Sequence, residues 1–271
     1  MKHFITLLLS LASLSLFSAE FDPFAGPKPA AVLIQSDPWA MVMGADTPRV
    51  AAYEDGTVIF LKKSGNSASY HQKDLSATEL SDLKKRLTPT VDLKDLKHFY
   101  SLQPHVTDQP EALFYIRDGE RELTTRVYGL KAASTKLPAY TVLSEKRKPD
   151  TVPEQLIELH KFLCAIDYPD SKEWTPRYLE VMIWPYDDAP EASITWPEDW
   201  PGLDSKRSLK RGDSYSIFLD GGLLPELQKF MRTRKEKGAV EIGGKEWAVS
   251  FRAVFPGEPI WRKAFESSRE K

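Results

Sequence analysis

The chain has a single cysteine, Cys164, among 271 residues. No intramolecular disulfide can form, so packing has to hold the fold together rather than covalent staples. A charge excess of either sign is also missing: 37 Lys and Arg face 39 Asp and Glu, a formal net charge of −2. A near-neutral surface gives no electrostatic basis for nucleic-acid binding, which depends on neutralising phosphates. The local basic clusters, Lys146 to Lys148, Lys206-Arg207 and Arg232 to Lys237, have acidic neighbours or close expected helices, and read as solvated charge.

Local catalytic signatures are absent too. There is no Gly-x-Ser-x-Gly elbow, no Gly-x-Gly-x-x-Gly, no phosphate-cradling loop ending in Lys-Ser or Lys-Thr, no His-Glu-x-x-His and no Cys-x-x-Cys. No catalytic residue, cofactor or metal is therefore assigned. His71, His98 and His105 fall in one stretch, and the last two with Asp108 can be drawn as a metal set. Their spacing fits neither one helix face nor a tight ligand loop. Cys164 lies in the apolar run Phe162 to Ile166 and reads as a small buried hydrophobe. A catalytic thiol would need an activating partner, and His160, one turn earlier, can in principle face it, but both positions fall on or beside the apolar stripe.

Long apolar runs are confined to the N-terminus. Met1-Lys2-His3 is a short basic start, Phe4 to Phe17 is apolar or hydroxylated, and small Ser18 and Ala19 precede Glu20. This order is that of a secretory signal peptide spanning residues 1–19. Its core of about a dozen residues is shorter than the roughly twenty a membrane span needs. The expected protein is exported, periplasmic or secreted, with no membrane span after cleavage.

Residues 20–38 carry Pro23, Pro27, Pro29 and Pro38 with little periodicity, which predicts a Pro-rich tether. Two modules are expected beyond it, an N-terminal one over 39–168 and a C-terminal one over 169–271. Runs around Asp55-Gly56 predict one hairpin, and Ser69 to Leu75 a third strand. Ser76-Ala-Thr-Glu79 is a capping box before Leu80, Leu83 and Leu87 at helical spacing, with Pro89 as the stop. Alternation of Ala112, Phe114 and Ile116, then Leu123, Thr125 and Val127, about Asp118-Gly119 predicts a second hairpin. Thr151 to Glu154 repeats the capping-box spacing ahead of Leu156, Leu159 and Leu163.

The C-terminal part continues the pattern. Tyr178 to Trp184 and Tyr215 to Leu219 read as strands, Leu224, Leu227 and Phe230 or Met231 as a helix, and Val240 to Phe251 about Gly243-Gly244 as the last hairpin. The fold class is α+β: two modules of antiparallel hairpins packed against helices, with the order strand, helix, hairpin used twice.

Thr107-Asp108-Gln109-Pro110 reads as an Asx-type turn before the second hairpin. Together with the Tyr53-Glu-Asp55-Gly56-Thr-Val hairpin, the Leu-rich helix from Ser76 and the helix ending Ala165-Ile166-Asp167, it resembles a group of uncharacterised bacterial extracytoplasmic domains. The resemblance covers about residues 49–168. Those domains often carry a Cys-x-x-Cys-Pro element ahead of the first hairpin, and this chain has no cysteine there. No activity is established for them, so the resemblance implies fold and compartment only.

Composition is odd in one segment, residues 184–204. In 21 residues it holds three Trp-Pro pairs, six carboxylates and no basic residue. Flat indoles stack on sugar rings or on a peptide, and carboxylates accept hydroxyl hydrogen bonds. The candidate ligand-binding residues are Trp184, Trp196, Trp200, Asp187, Asp188, Glu198 and Asp199. The competing reading is that the indoles only pin the loop. The functional expectation is a non-catalytic extracytoplasmic binding or interaction module for an unknown ligand, glycan or peptide. The rivals are a hydrolase of envelope or imported polymers using the loop carboxylates, and a structural envelope component.

Overall fold

The computed structural model of the protein describes residues 21–36, 38–39, 46–65, 67–88, 96–119, 121–130 and 148–269. The expected signal peptide and the Pro89 helix stop lie outside them. The architecture is α+β, with two mixed sheets and helices against their faces.

The first sheet is built from β1 (Pro29–Ser36), β2 (Pro48–Tyr53), β3 (Thr57–Ser64), β4 (Ser67–Asp74), β5 (Phe99–Ser101), β6 (Glu111–Asp118), β7 (Arg121–Tyr128) and β8 (Lys172–Glu173). Its order is β5-β7-β6-β1-β2-β3-β4-β8, antiparallel except where β5 runs parallel to β7. The strand β1 corrects the expected tether over 20–38. Pro29 sits at the first strand position, where a missing N–H is tolerated, and Ala30 to Ile34 form a continuous apolar run buried on both faces. Such a run is the signature of a central strand, which the flanking prolines obscured. Val32 lies between Ala51 of β2 and Tyr115 of β6.

One face of this sheet is covered by α1 (Ala77–Leu87) and α2 (Glu154–Cys164), whose Leu83, Leu87, Leu156 and Leu163 bury against Leu33, Phe60 and Phe114. The α1 capping box forms as expected: Ser76 Oγ accepts from the Glu79 amide at 3.3 Å, and the Ser76 amide donates to Glu79 Oε2 at 2.7 Å. The second box does not form. Pro153 takes the N-cap position of α2 with no side-chain bond, which places Thr151 too far upstream to cap.

The second sheet contains β9 (Tyr178–Pro185), β10 (Glu191–Thr195), β11 (Ser208–Arg211), β12 (Ser214–Asp220), β13 (Gly238–Ile242) and β14 (Lys245–Ala253), in the order β10-β13-β14-β9-β12-β11. A 3-10 turn at Gly221–Leu223 leads into α3 (Leu224–Thr233), whose Leu227 packs on Val181, Ile217 and Val240. Gly243 and Gly244 both take positive φ, 61° and 73°, giving the tight mirror-image turn that the sequence predicts between β13 and β14.

The two ends of the chain cross between the sheets. Phe21 and Phe24 pack edge-on against Phe218 at 5.8 Å, and Phe21 also meets Tyr178 at 5.3 Å. The chain then enters the first sheet as β1. Conversely α4 (Glu258–Arg269), an element the sequence patterns do not predict, leaves the second sheet and covers the other face of the first. Its Trp261 and Phe265 are buried with Val32, Tyr53 and Tyr115. Each sheet is thus completed by a segment from the far end of the sequence, and the expected boundary at residue 168 does not divide the packing. The order strand, helix, hairpin does occur twice, but the wiring differs: β6, the first strand of its hairpin, joins the rest of the first sheet, whereas β14, the second strand, does so in the other.

Candidate functional site

Strand alternation decides where the predicted site residues go. Along β9, Leu179, Val181 and Ile183 point to the α3 side, so Glu180, Met182 and Trp184 point to the opposite side. Trp196 and Trp200 lie with α3. Trp196 is 6 % exposed, its Nε1 donates to Pro201 O at 3.2 Å, and its ring meets Trp200 edge-on at 5.0 Å and Phe230 at 5.8 Å. The three indoles are therefore not one surface: two pin the segment over α3, and Trp184 stands on the other face. The segment itself contains the strand β10, running parallel to β13, so it is sheet edge as much as loop.

The predicted carboxylates separate as well. Asp187 and Asp188 are exposed beside a shallow pocket of about 550 Å³ that also has Lys210, Asp213, Tyr215 and Trp247 on its walls. Glu198 and Asp199 are exposed on the Pro197–Trp200 turn. Neither carboxylate lines that pocket.

The stronger site is the groove of about 810 Å³ on the Trp184 face. Its walls are Trp184, Met182, Tyr215 and Phe24 from the sheet side and Pro259, Arg262, Lys263 and Glu266 from α4. Its floor is a buried ion network. Arg252 on β14 sits opposite Glu180 on β9 in register, and their side chains pair. Arg252 also grips Glu258, at the start of α4, with Nη1 to Oε2 at 2.8 Å and Nη2 to Oε1 at 2.7 Å. Arg262 closes over Glu258 one helical turn on. Glu180 Oε1 accepts from Ser216 Oγ at 2.6 Å and from Arg211 Nη2 at 3.3 Å.

Glu180, Arg252 and Glu258 are buried, which is costly for charges unless each is paired and hydrogen-bonded. Burial pushes the Glu258 carboxyl up, but Arg252 and Arg262 together hold it below the ordinary glutamate value. Burial likewise opposes the charge on Arg252, and Glu258 and Glu180 overcome it and keep the guanidinium more firmly protonated than usual. The network is a set of mutually clamped groups in which the charged forms of Arg252 and Glu258 are favoured. It fastens α4 to the second sheet and sets the groove above it.

Sequence reasoning missed Glu180, Arg252 and Glu258. A signal existed: Glu180 interrupts the apolar strand Tyr178 to Trp184, and Arg252 stands between Phe251 and Ala253. A lone charge inside an apolar strand marks a buried, paired group.

The remaining candidates resolve on geometry. Cys164 Sγ lies 3.5 Å from His160 Nε2, so the pair does meet. Burial, with Arg49 adding to it, pushes His160 down to about 4, while burial raises the thiol. A weak base facing a reluctant acid forms no thiolate. His71 contacts Ser171 Oγ at 3.3 Å and His98 contacts Thr124 O at 3.4 Å, and no group of three or more metal-ligating side chains occurs among the described residues. At the Thr107 to Pro110 turn, Asp108 takes a left-handed backbone with φ 56°, and the bond that anchors the turn runs from the Gln109 amide to Tyr128 Oη at 3.0 Å. The turn reading holds, but by backbone geometry rather than by an Asp108 side-chain cap. In comparisons with protein-family models, curated proteins and solved structures, nothing matches the chain.

Proposed function

We propose that the protein is exported and acts as a non-catalytic binding or interaction module whose contact surface is the groove beside Trp184. The observation that carries the reading is an open groove set on a pre-paired ion network. Binding sites gain affinity from groups already held in place, because less ordering is lost on association. A volume of about 810 Å³ falls within the roughly 300–1,000 Å³ usual for small-ligand sites.

The hydrolase rival needs two carboxyls tuned apart, one of them protonated to act as general acid. In this groove the guanidinium partners hold Glu258 ionised, which opposes that role. Export is supported by the leader pattern of residues 1–19.

The test uses the mature chain, residues 20–271, on glycan and peptide arrays beside the Trp184→Ala variant. Binding that falls in the variant while its melting temperature stays put supports the reading. Equal binding by the variant, or conversion of a bound ligand to products, contradicts it, and no ligand at all favours a structural envelope role.

A further inference from the structure

Resting on that reading, we infer that the groove takes a saccharide ring bearing a carboxylate, with Arg211 as the carboxylate receptor and Trp184 as the ring platform. Four cationic side chains line the groove against three carboxylates: Arg211, Arg252, Arg262 and Lys263 against Glu180, Glu258 and Glu266. Buried Glu180 and Glu258 are balanced by buried Arg252 and half-buried Arg262, which leaves Arg211, Lys263 and Glu266 at the rim to present charge to a ligand.

Arg211 is the key rim residue. Its side chain is 56 % exposed, yet it is not loose, because buried Glu180 holds Nη2 at 3.3 Å. Glu180 is itself fixed by Arg252 and Ser216, so the buried network orients Arg211 through one carboxylate. A guanidinium carries five N–H donors in a planar fork. Among the described residues Arg211 uses one donor, and the rest of the fork remains for a two-pronged carboxylate contact. Lys263, exposed on α4 with no ion-pair partner among the described residues, adds a second positive charge at the rim.

The choice of a saccharide over a peptide follows from the sheet. Along the groove floor β9 pairs on both sides, with β12 and β14, and β12 pairs on both sides, with β9 and β11. An extended peptide finds no free backbone edge on β9 or β12 with which to pair. On those strands recognition has to come from side chains, and those are the half-buried Trp184 indole, Met182, the Ser214 hydroxyl and the Arg211 fork. An apolar ring face, ring hydroxyls and one acid group match that set. Two sources carry this chemistry: hexuronic acids, and amino sugars with a lactyl ether acid.

Isothermal titration of the mature chain with oligosaccharides of each source, their methyl esters, neutral oligosaccharides of equal length and a panel of acidic peptides separates the outcomes. The expected result is binding of one acidic series, at least tenfold weaker for its methyl ester, and weakened about 10- to 100-fold by Arg211→Gln with an unchanged melting temperature. Whichever series binds identifies the source. Neutral and acidic saccharides binding alike overturns carboxylate recognition while leaving the binding module standing; binding of peptides alone overturns the saccharide class. Unchanged affinity in Arg211→Gln overturns the assigned receptor. Failure of all saccharides and peptides to bind overturns the inference and the proposed function together. The methyl-ester comparison needs no variant, so it decides the matter even if Arg211→Gln folds poorly.

Discussion

Acid should weaken this fold through one buried imidazole. His160 lies on the inner side of α2 at 3 % exposure, with the Phe114 ring 5.9 Å away and Arg49 nearby. Burial first, and the Arg49 charge second, lower its pKa from 6.5 to about 4. In the unfolded chain the imidazole titrates near its ordinary value. Between those two pH values the unfolded state binds a proton that the folded state refuses, so stability is full above about pH 6.5 and falls as the pH drops toward 4. At about 1.4 kcal/mol per pH unit, the gap is worth about 3 kcal/mol. The assay is urea unfolding at a series of pH values from 7.5 to about 4, for the wild type and for His160→Gln. Other carboxylates add their own slope, but they add it to both proteins, and the difference isolates the imidazole. The wild type should lose about 3 kcal/mol more than the variant across that range. Parallel pH profiles would refute the reasoning and show that the imidazole is solvated or charged in the folded state.

Three further substitutions follow from burial and pairing. Trp196→Ala removes a buried indole from the α3 core and should destabilise by about 3 to 5 kcal/mol in chemical denaturation; a loss under 1 kcal/mol would mean that the segment is not pinned as described. Arg252→Met removes the buried guanidinium that Glu180 and Glu258 share and should cost about 3 to 5 kcal/mol, read as a fall in the urea midpoint; little change would show that water reaches the network. Tyr53→Phe deletes a buried hydroxyl with no hydrogen-bond partner among the described residues, and should be neutral or stabilising by about 1 kcal/mol in thermal unfolding. Clear destabilisation there would reveal a partner for that hydroxyl.

Local signals carried most of the fold. The Asp-Gly and Gly-Gly turns, the alternating hairpin strands and the Ser76 capping box are short-range patterns, and each marks an element that forms where its residues predict. Long-range partners were not legible. Pro29–Ser36 reads as a tether when its prolines are weighed by themselves, because only the neighbours β2 and β6 make its two-sided burial visible. Nor does any local pattern say that Trp261 closes a sheet some two hundred residues earlier in the chain, against Val32 and Tyr53. The candidate site was half legible. Composition singles out Trp184 but marks the segment as one surface, whereas strand alternation sends Trp184 to one face and Trp196 to the other. The charges that shape the groove come from β9, β14 and α4, three segments whose meeting depends wholly on tertiary packing.

The most direct test of the groove as the contact surface is fluorine NMR of the mature chain labelled with 5-fluorotryptophan, with each signal assigned by single Trp→Phe variants. On titration with the acidic oligosaccharides, the Trp184 resonance should shift in a saturable way while those of Trp196 and Trp261 stay still. Saturable movement of Trp196 with a silent Trp184 would place the contact on the α3 side and contradict the account.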